Sequence, residues 1–341
     1  MTKIPQPQVE FYELAENLLA EYFAGEPIWA TAMGIHDYDD QLGHYDSETL
    51  FQKNQQIKQY LEIFNNIDNN SLDLDAKIDL KVVKGLLNRF ILEYEEIRHW
   101  EKNPSYAEYP VYGIHLLLTK PTAPLNEMLP NIISRLKQTR RVLEEGKANV
   151  TKPVKVFTET AVQMTYGGIA FFENILPPLG EQVPELKEEL LMAKEDAINA
   201  LKEYANWLET EALPNANDEF AIGEKAFNTL LQEDHLLNYT AETLIAKGWE
   251  LFNETETEMN KVANEISPGH TWQEVVEQLK EEHPSKENLV STYKEWMNKS
   301  RQFTIEKNVA DIPEGETLEV QETPDFLKPI IPYAAYMPPE T

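Results

Sequence analysis

The chain has no cysteine, which removes disulfides, thiolate nucleophiles and cysteine-ligated zinc together. It is also short of positive charge: 30 lysines and arginines stand against 59 acidic residues. The surface field is therefore negative and repels phosphate backbones and anionic headgroups, so neither nucleic acid nor a membrane surface is an expected partner. No run approaches the roughly 18 consecutive apolar residues of a membrane span, and the opening MTKIPQPQVE lacks the apolar stretch of a secretory signal. A cytoplasmic protein is expected. Common catalytic signatures are missing as well: no G-x-S-x-G elbow, no phosphate-binding G-x-x-x-x-G-K-[ST], no G-x-G-x-x-G and no H-E-x-x-H.

What is present makes a folded protein. Of 341 residues, 42% are hydrophobic and 10% aromatic, too many core formers for a disordered chain. A protein of this length buries roughly 75% of the surface its unfolded chain exposes. The apolar residues recur at helical spacing. Phe11, Leu14, Ala15, Leu18 and Tyr22 predict a first helix, followed after Pro27 by a shorter one that Gly34 closes. Two long helices follow, one capped at Asp46 or Ser47 and carrying Ile57, Leu61 and Phe64, the other carrying Leu80, Val83, Leu87, Phe90 and Tyr94.

Between His99 and Thr122, Pro104, Pro110, Gly113 and Pro121 predict an irregular connection around the apolar patch Ile114 to Leu118. Helical patterning resumes at Leu125, with Pro130 expected to kink the helix or mark its start. A further segment runs from about Pro153 to Ile175, weakened by Gly167 and Gly168. Leu186, Leu190, Ala193, Ala197, Leu201, Tyr204 and Leu208 then form a stripe whose three- and four-residue spacings define a buried helix face. Later helices are expected after Thr240, after Thr271 with Glu274 completing a capping box, and after Ser285.

The character changes after residue 306. Thr317 to Gln321 alternates polar and apolar, and Pro324, Pro329, Pro332, Pro338 and Pro339 punctuate the apolar run Ile330 to Met337. The expected organisation is a mainly α protein, a large multi-helix array over 1–306, with a short β segment beginning an incomplete region over 307–341. A two-stranded ribbon is marginal alone, so its edge is expected to be disordered or to pair with a second copy, a missing carboxy-terminal half or an extended peptide.

Candidate chemistry is sparse. His36, Asp37, Asp39, Asp40, His44 and Asp46 concentrate imidazole and carboxylate ligands that could bind a divalent ion, but between two helices the same residues serve turns and an N-cap. Glu96 and His99 form one E-x-x-H unit, where di-metal bundles use two with further glutamates, so a surface pair is expected. His115, amid Ile114 and Leu116 to Leu118, reads as a hydrogen-bonded core residue and His235 as a loop residue. No catalytic, cofactor-binding or metal residue is assigned.

Three phrases in order, Thr31-Ala-Met-Gly-Ile-His-Asp-Tyr-Asp-Asp40, the stretch Leu213 through Phe220 to Thr240, and Leu318-Glu-Val-Gln-Glu-Thr-Pro324 running into Tyr333 to Pro339, resemble the bacterial proteins catalogued as domain of unknown function 885. The resemblance covers about residue 10 to 339. It implies a helical relative of zinc metallopeptidases whose metal helix carries roughly H-E-x-x-P-G-H, with zinc activating water and a glutamate taking its proton. That motif is expected beyond the Leu318 phrase, so this chain corresponds to the amino-terminal half and lacks the zinc ligands. Asn264-Glu-Ile-Ser-Pro-Gly-His270 imitates the motif, but Asn264 replaces an imidazole and Pro268-Gly269 fit a helix stop. The expected function is thus the inactive helical half of a zinc-peptidase-like protein; the alternative is a self-sufficient helical protein that binds a peptide or small ligand in a groove.

Overall fold

A computed structural model describes residues 6–315, 317–331 and 333–336. The chain divides into two compact units, one of Met1–Thr240 with Pro324–Thr341 and one of Ala241–Thr323. The division falls at 240/241 and 323/324, where the sequence suggested 306/307.

In the first unit the helices are α1 (Gln6–Gly25), α2 (Pro27–Ala32), α3 (Ser47–Asn65), α4 (Leu74–Leu92), α5 (His99–Lys102), α6 (Glu108–Thr119), α7 (Leu125–Asn149), α8 (Lys155–Gln182), α9 (Lys187–Trp207) and α10 (Glu224–Thr229). Wider π-type turns extend α4, α9 and α10 over Glu93–Ile97, Leu208–Ala212 and Leu230–Asp234. Local signals set several boundaries. The Asp46 carboxylate accepts from Thr49 N at 3.0 Å, capping α3, and Asp73 does the same for α4 from Ala76 N at 2.9 Å.

The main core lies where α6, α7, α8 and α9 pack together. It includes Ile114, Leu129, Ile132, Phe172, Leu190 and Leu201. Each such side chain stabilises the fold by roughly 1.5–3 kcal/mol relative to leaving it in water. A smaller core joins α1, α3 and α4 through Phe11, Phe64, Ala76, Leu80 and Leu87. In the second unit are α11 (Ala241–Ile266), α12 (Trp272–Lys280) and α13 (Leu289–Lys307). The expected capping box forms at the start of α12, with Thr271 and Glu274 satisfying each other's backbone N–H. Ala263 and Val275 are the buried apolar side chains among the described residues of this unit, while Trp249, Phe252, Trp296 and Phe303 stay exposed.

Two expectations fail for identifiable reasons. The stretch read as irregular contains α6, because Pro110 falls in its first turn, where no N–H donor is needed. Helix α7 starts at Leu125, where helical patterning was expected to resume, and Pro130 lies inside it. The short β segment is not formed: residues 317–321 show no strand, and the β pairing among the described residues is one isolated parallel bridge, Val154 to Asn217. Alternation supplies a one-sided strand but not the second edge that a strand needs.

Instead of opening a sheet, 324–331 makes a strap of tight turns against α8. Leu327 N donates to Pro324 O at 2.9 Å and Ile331 N to Leu327 O at 2.9 Å, and both Phe326 and Leu327 are buried. Gly167 makes the approach possible, since a Cβ there would lie 2.6 Å from the Phe326 Cα. Pro332 and the residues from Met337 onward, part of the expected β region, lie outside the described residues.

Candidate functional site

The sequence-derived clusters resolve mostly into structural networks. His36 Nδ1 lies 3.0 Å from Asp39 Oδ2, and the buried Asp39 accepts from the Thr31 hydroxyl at 2.7 Å. Opposite it sits Arg135, fully buried, its NH1 donating to Gly113 O at 2.6 Å and its NH2 to Thr31 Oγ1 at 2.7 Å. Burial pulls the guanidinium pKa down to about 10, against the pull of Asp39 and Asp40 upward. The Asp40 carbonyl accepts from Ser134 and Gln138, so this half of the acidic cluster holds the α2 to α3 loop against α7.

The other half comes near a metal-like arrangement. Single ligand atoms of His44, Asp46 and Glu145 lie within 4.8 Å of one another. The fit to a cation is poor. Arg141 NH1 already stands 3.0 Å from His44 Nδ1 and 2.9 Å from Glu145 Oε1, so a guanidinium occupies the electrostatic position an ion would take. Glu145 also accepts from Tyr45 N, and Asp46 is committed to Thr49, whose hydrogen bonds hold its carboxyl below the usual range.

Glu96 and His99 do not share a helix face. Arg98 between them adopts left-handed backbone, φ 58°, which ends the π-type turn and restarts the chain as α5. Glu96 pairs instead with Lys225 at 2.8 Å and His99 with Glu93 at 3.2 Å. His115 is half-buried among Tyr112, Phe171 and Phe326, and burial lowers its pKa, which keeps it neutral. His235 follows the turn that ends at Asp234. In the imitation motif, Asn264 Oδ1 accepts from Gly269 N at 3.3 Å and His270 Nδ1 meets Ser267 Oγ at 2.9 Å, so its would-be ligands close the end of α11. Neither of these sets fits zinc.

The concave site lies elsewhere, wholly within the first unit. Two cavities, of about 480 Å³ and 510 Å³, share Trp29, Leu50, His99, Trp100 and Tyr109 as common lining and so form one cleft. Each falls within the roughly 300–1,000 Å³ range of small-molecule sites. Helix α2, begun by Pro27, presents Trp29; α3 presents Leu50 and Lys53; α6 presents Glu108, Tyr109 and Tyr112. The left-handed Arg98 turns His99 and Trp100 into the same space, and a non-glycine residue in that conformation is strained.

The walls are braced aromatic rings. Tyr45 stacks on Tyr109 with centroids 4.1 Å apart, Tyr22 on Phe90 at 5.5 Å, and Tyr94 on Trp100 at 5.8 Å. The Trp100 indole N–H donates to Tyr94 O at 3.1 Å, and Tyr106 Oη donates to Trp100 O at 3.0 Å. Lys53 sits 5.5 Å over the Tyr45 ring and is neutralised by Glu26 at 2.7 Å. Glu108 stands apart from this bracing: among the described residues nothing donates to its carboxylate, and burial raises its pKa. Ser105, also in the lining, directs its hydroxyl to Asn103 Oδ1 at 2.8 Å rather than to a base. The arrangement is suited to holding a ligand, with the Glu93 to His99 contact at its side.

Of the lining shared by both cavities, His99 was singled out from the sequence, but as a surface partner of Glu96; Trp29, Leu50, Trp100 and Tyr109 were not. One signal was available: Trp100, Tyr106, Tyr109 and Tyr112 crowd a segment that its prolines made look irregular.

The fold and site define a mainly helical protein with a braced aromatic cleft. The chain belongs to the family described as bacterial protein of unknown function (DUF885), whose profile matches residues 27–341. A solved structure described as "a putative lipoprotein of unknown function from Shewanella oneidensis" is similar at a TM-score of 0.70 and 20% identity, covering 92% of this chain and 61% of that one. The likeness is one of fold, and this chain spans about three fifths of that structure's length. No curated protein matches. No helix among the described residues is long and apolar enough to cross a membrane.

Proposed function

We propose that the chain is the helical portion of a zinc-peptidase-like protein, and that its own task is to hold a short peptide or small organic ligand in the aromatic cleft. The braced cleft carries this reading, because rings fixed by stacking and hydrogen bonds present apolar surface without the ordering loss of flexible side chains. The commitment of His44, Asp46, Glu145 and His270 to other partners supports assigning zinc chemistry to a carboxy-terminal half rather than to these residues. Such a half would meet exposed apolar side chains such as Trp249 and Trp296 of the second unit. Co-purification of the two, lost on Trp296→Asp, tests that contact; co-purification indifferent to the change removes it.

The cleft itself is tested by titrating the intact chain with short aromatic peptides while following tryptophan fluorescence, since Trp29 and Trp100 both line it. Saturable quenching that weakens at least several-fold in Tyr109→Ala supports the reading. Quenching that is linear, or unchanged in the variant, refutes it. A self-sufficient binding protein is the second reading, favoured because both cavities are lined entirely by the first unit. Peptide hydrolysis on adding a candidate carboxy-terminal half separates the two.

A further inference from the structure

The smaller cavity differs from its neighbour in charge. The larger one is lined by glutamates together with Lys53 and Arg89, which counter one another, whereas the described residues lining the smaller one include a single carboxylate, Glu108, and no lysine or arginine. Trp29, Trp100, Tyr45, Tyr106, Tyr109 and Tyr112 share that lining.

Aromatic faces carry negative quadrupole potential, and a desolvated cation over them gains up to about 2 kcal/mol. The protein already uses its rings this way: the ammonium of Lys53 lies 5.5 Å over Tyr45 and the guanidinium of Arg98 lies 4.8 Å over Trp100. Each of these internal cations has its own carboxylate, Glu26 at 2.7 Å and Glu101 at 2.8 Å. Glu108 and the remaining rings bring the same two components, a carboxylate and aromatic faces, to one cavity. A carboxylate partly withdrawn from water without a partner is disfavoured, and Glu108 lines a cavity rather than joining an ion pair.

We propose that the smaller cavity receives an alkylammonium group of the ligand, with Glu108 as its counter-ion and the tyrosine and tryptophan faces around it. The inference rests on the cleft being the ligand site and narrows what that ligand carries. A neutral or anionic group placed there would leave the carboxylate unpaired or repelled. Burial has raised the Glu108 pKa, and a bound cation would draw it back down, so binding and ionisation of this group reinforce each other. Its position in the first turn of α6 also favours the ionised form.

The test uses the intact chain and three probes: phenylalanyl-alanine amide with a free amino terminus, its N-acetylated form, and N-acetyl-lysine amide, each followed by tryptophan fluorescence and calorimetry. One charge-assisted hydrogen bond plus ring contact predicts at least about tenfold tighter binding of the free amine than of its acetylated form. In Glu108→Gln that preference should fall to within about twofold while the acetylated peptide binds as before. Binding of the lysine probe in place of the free terminus identifies a side-chain amine as the source and sustains the proposal. Equal binding of both dipeptides to the unaltered protein overturns it while leaving the cleft reading intact, as does a preference that survives Glu108→Gln. Failure of all three probes to bind overturns the proposal together with the cleft reading.

Discussion

The buried guanidinium of Arg135 and the carboxylate of Asp39 face each other at 3.8 Å, linked by the Thr31 hydroxyl, which accepts from the first and donates to the second. Residues that look like an acidic loop in sequence thus neutralise a cation deep in the first unit. Asp39→Ala strands that cation and is expected to destabilise the protein by about 3–5 kcal/mol in urea denaturation. The double variant Asp39→Asn with Arg135→Met should be less harmful than Asp39→Ala alone. Equal losses would mean that the pair is not coupled.

Glu101 is buried, accepts from Arg98 at 2.8 Å and Lys152 at 3.2 Å, and these partners, Arg98 above all, hold its carboxyl below the usual range. Its contribution is fully present above the ordinary glutamate range and is lost as pH falls through its depressed value. Glu101→Gln should therefore lower stability at neutral pH and flatten the acid limb of a stability-versus-pH curve. A parallel shift of the whole curve would contradict this.

At Gly167 the strap and α8 approach too closely for any side chain, a Cβ meeting the Phe326 backbone at 2.6 Å. Gly167→Ala should cost about 1–3 kcal/mol and loosen the strap. Faster amide exchange at Leu327 to Ile331, with α9 unchanged, is the expected signature. Uniform acceleration across the first unit would instead mean that the core had failed.

His270→Ala should leave the zinc content of the purified chain unchanged, because that imidazole caps a helix end with Ser267 and Asn264 is occupied by Gly269. Loss of tightly held zinc, measured by mass spectrometry, would reverse the reading of this segment.

Local physics was the legible part of the sequence. The Asp46 cap, the Thr271 and Glu274 box, and the stripe from Leu190 to Leu208 are written in residues a few positions apart, and all three stand in the structure. Helix α6 was hidden because Pro110 and Gly113 look like breakers, yet one sits in a first turn and the other lets Ile28 and Arg135 approach. The short strand failed for the opposite reason: alternation is local, while pairing requires a distant edge. The cleft was illegible because Trp29, Leu50, Trp100 and Tyr109 come from four separate segments and become neighbours only once α2, α3, α5 and α6 are packed.

The strap over 324–331 is also the segment by which the polypeptide returns. It leaves the first unit at Thr240 and rejoins it at Pro324, so the second unit is tethered at both ends to the body it departed from. The rejoining residues Leu327, Ile330 and Ile331 are themselves a wall of the smaller cavity. One wall of the smaller cavity is thus supplied by residues far along the chain from Trp29 and Tyr109, and it is seated by Phe326 against Gly167.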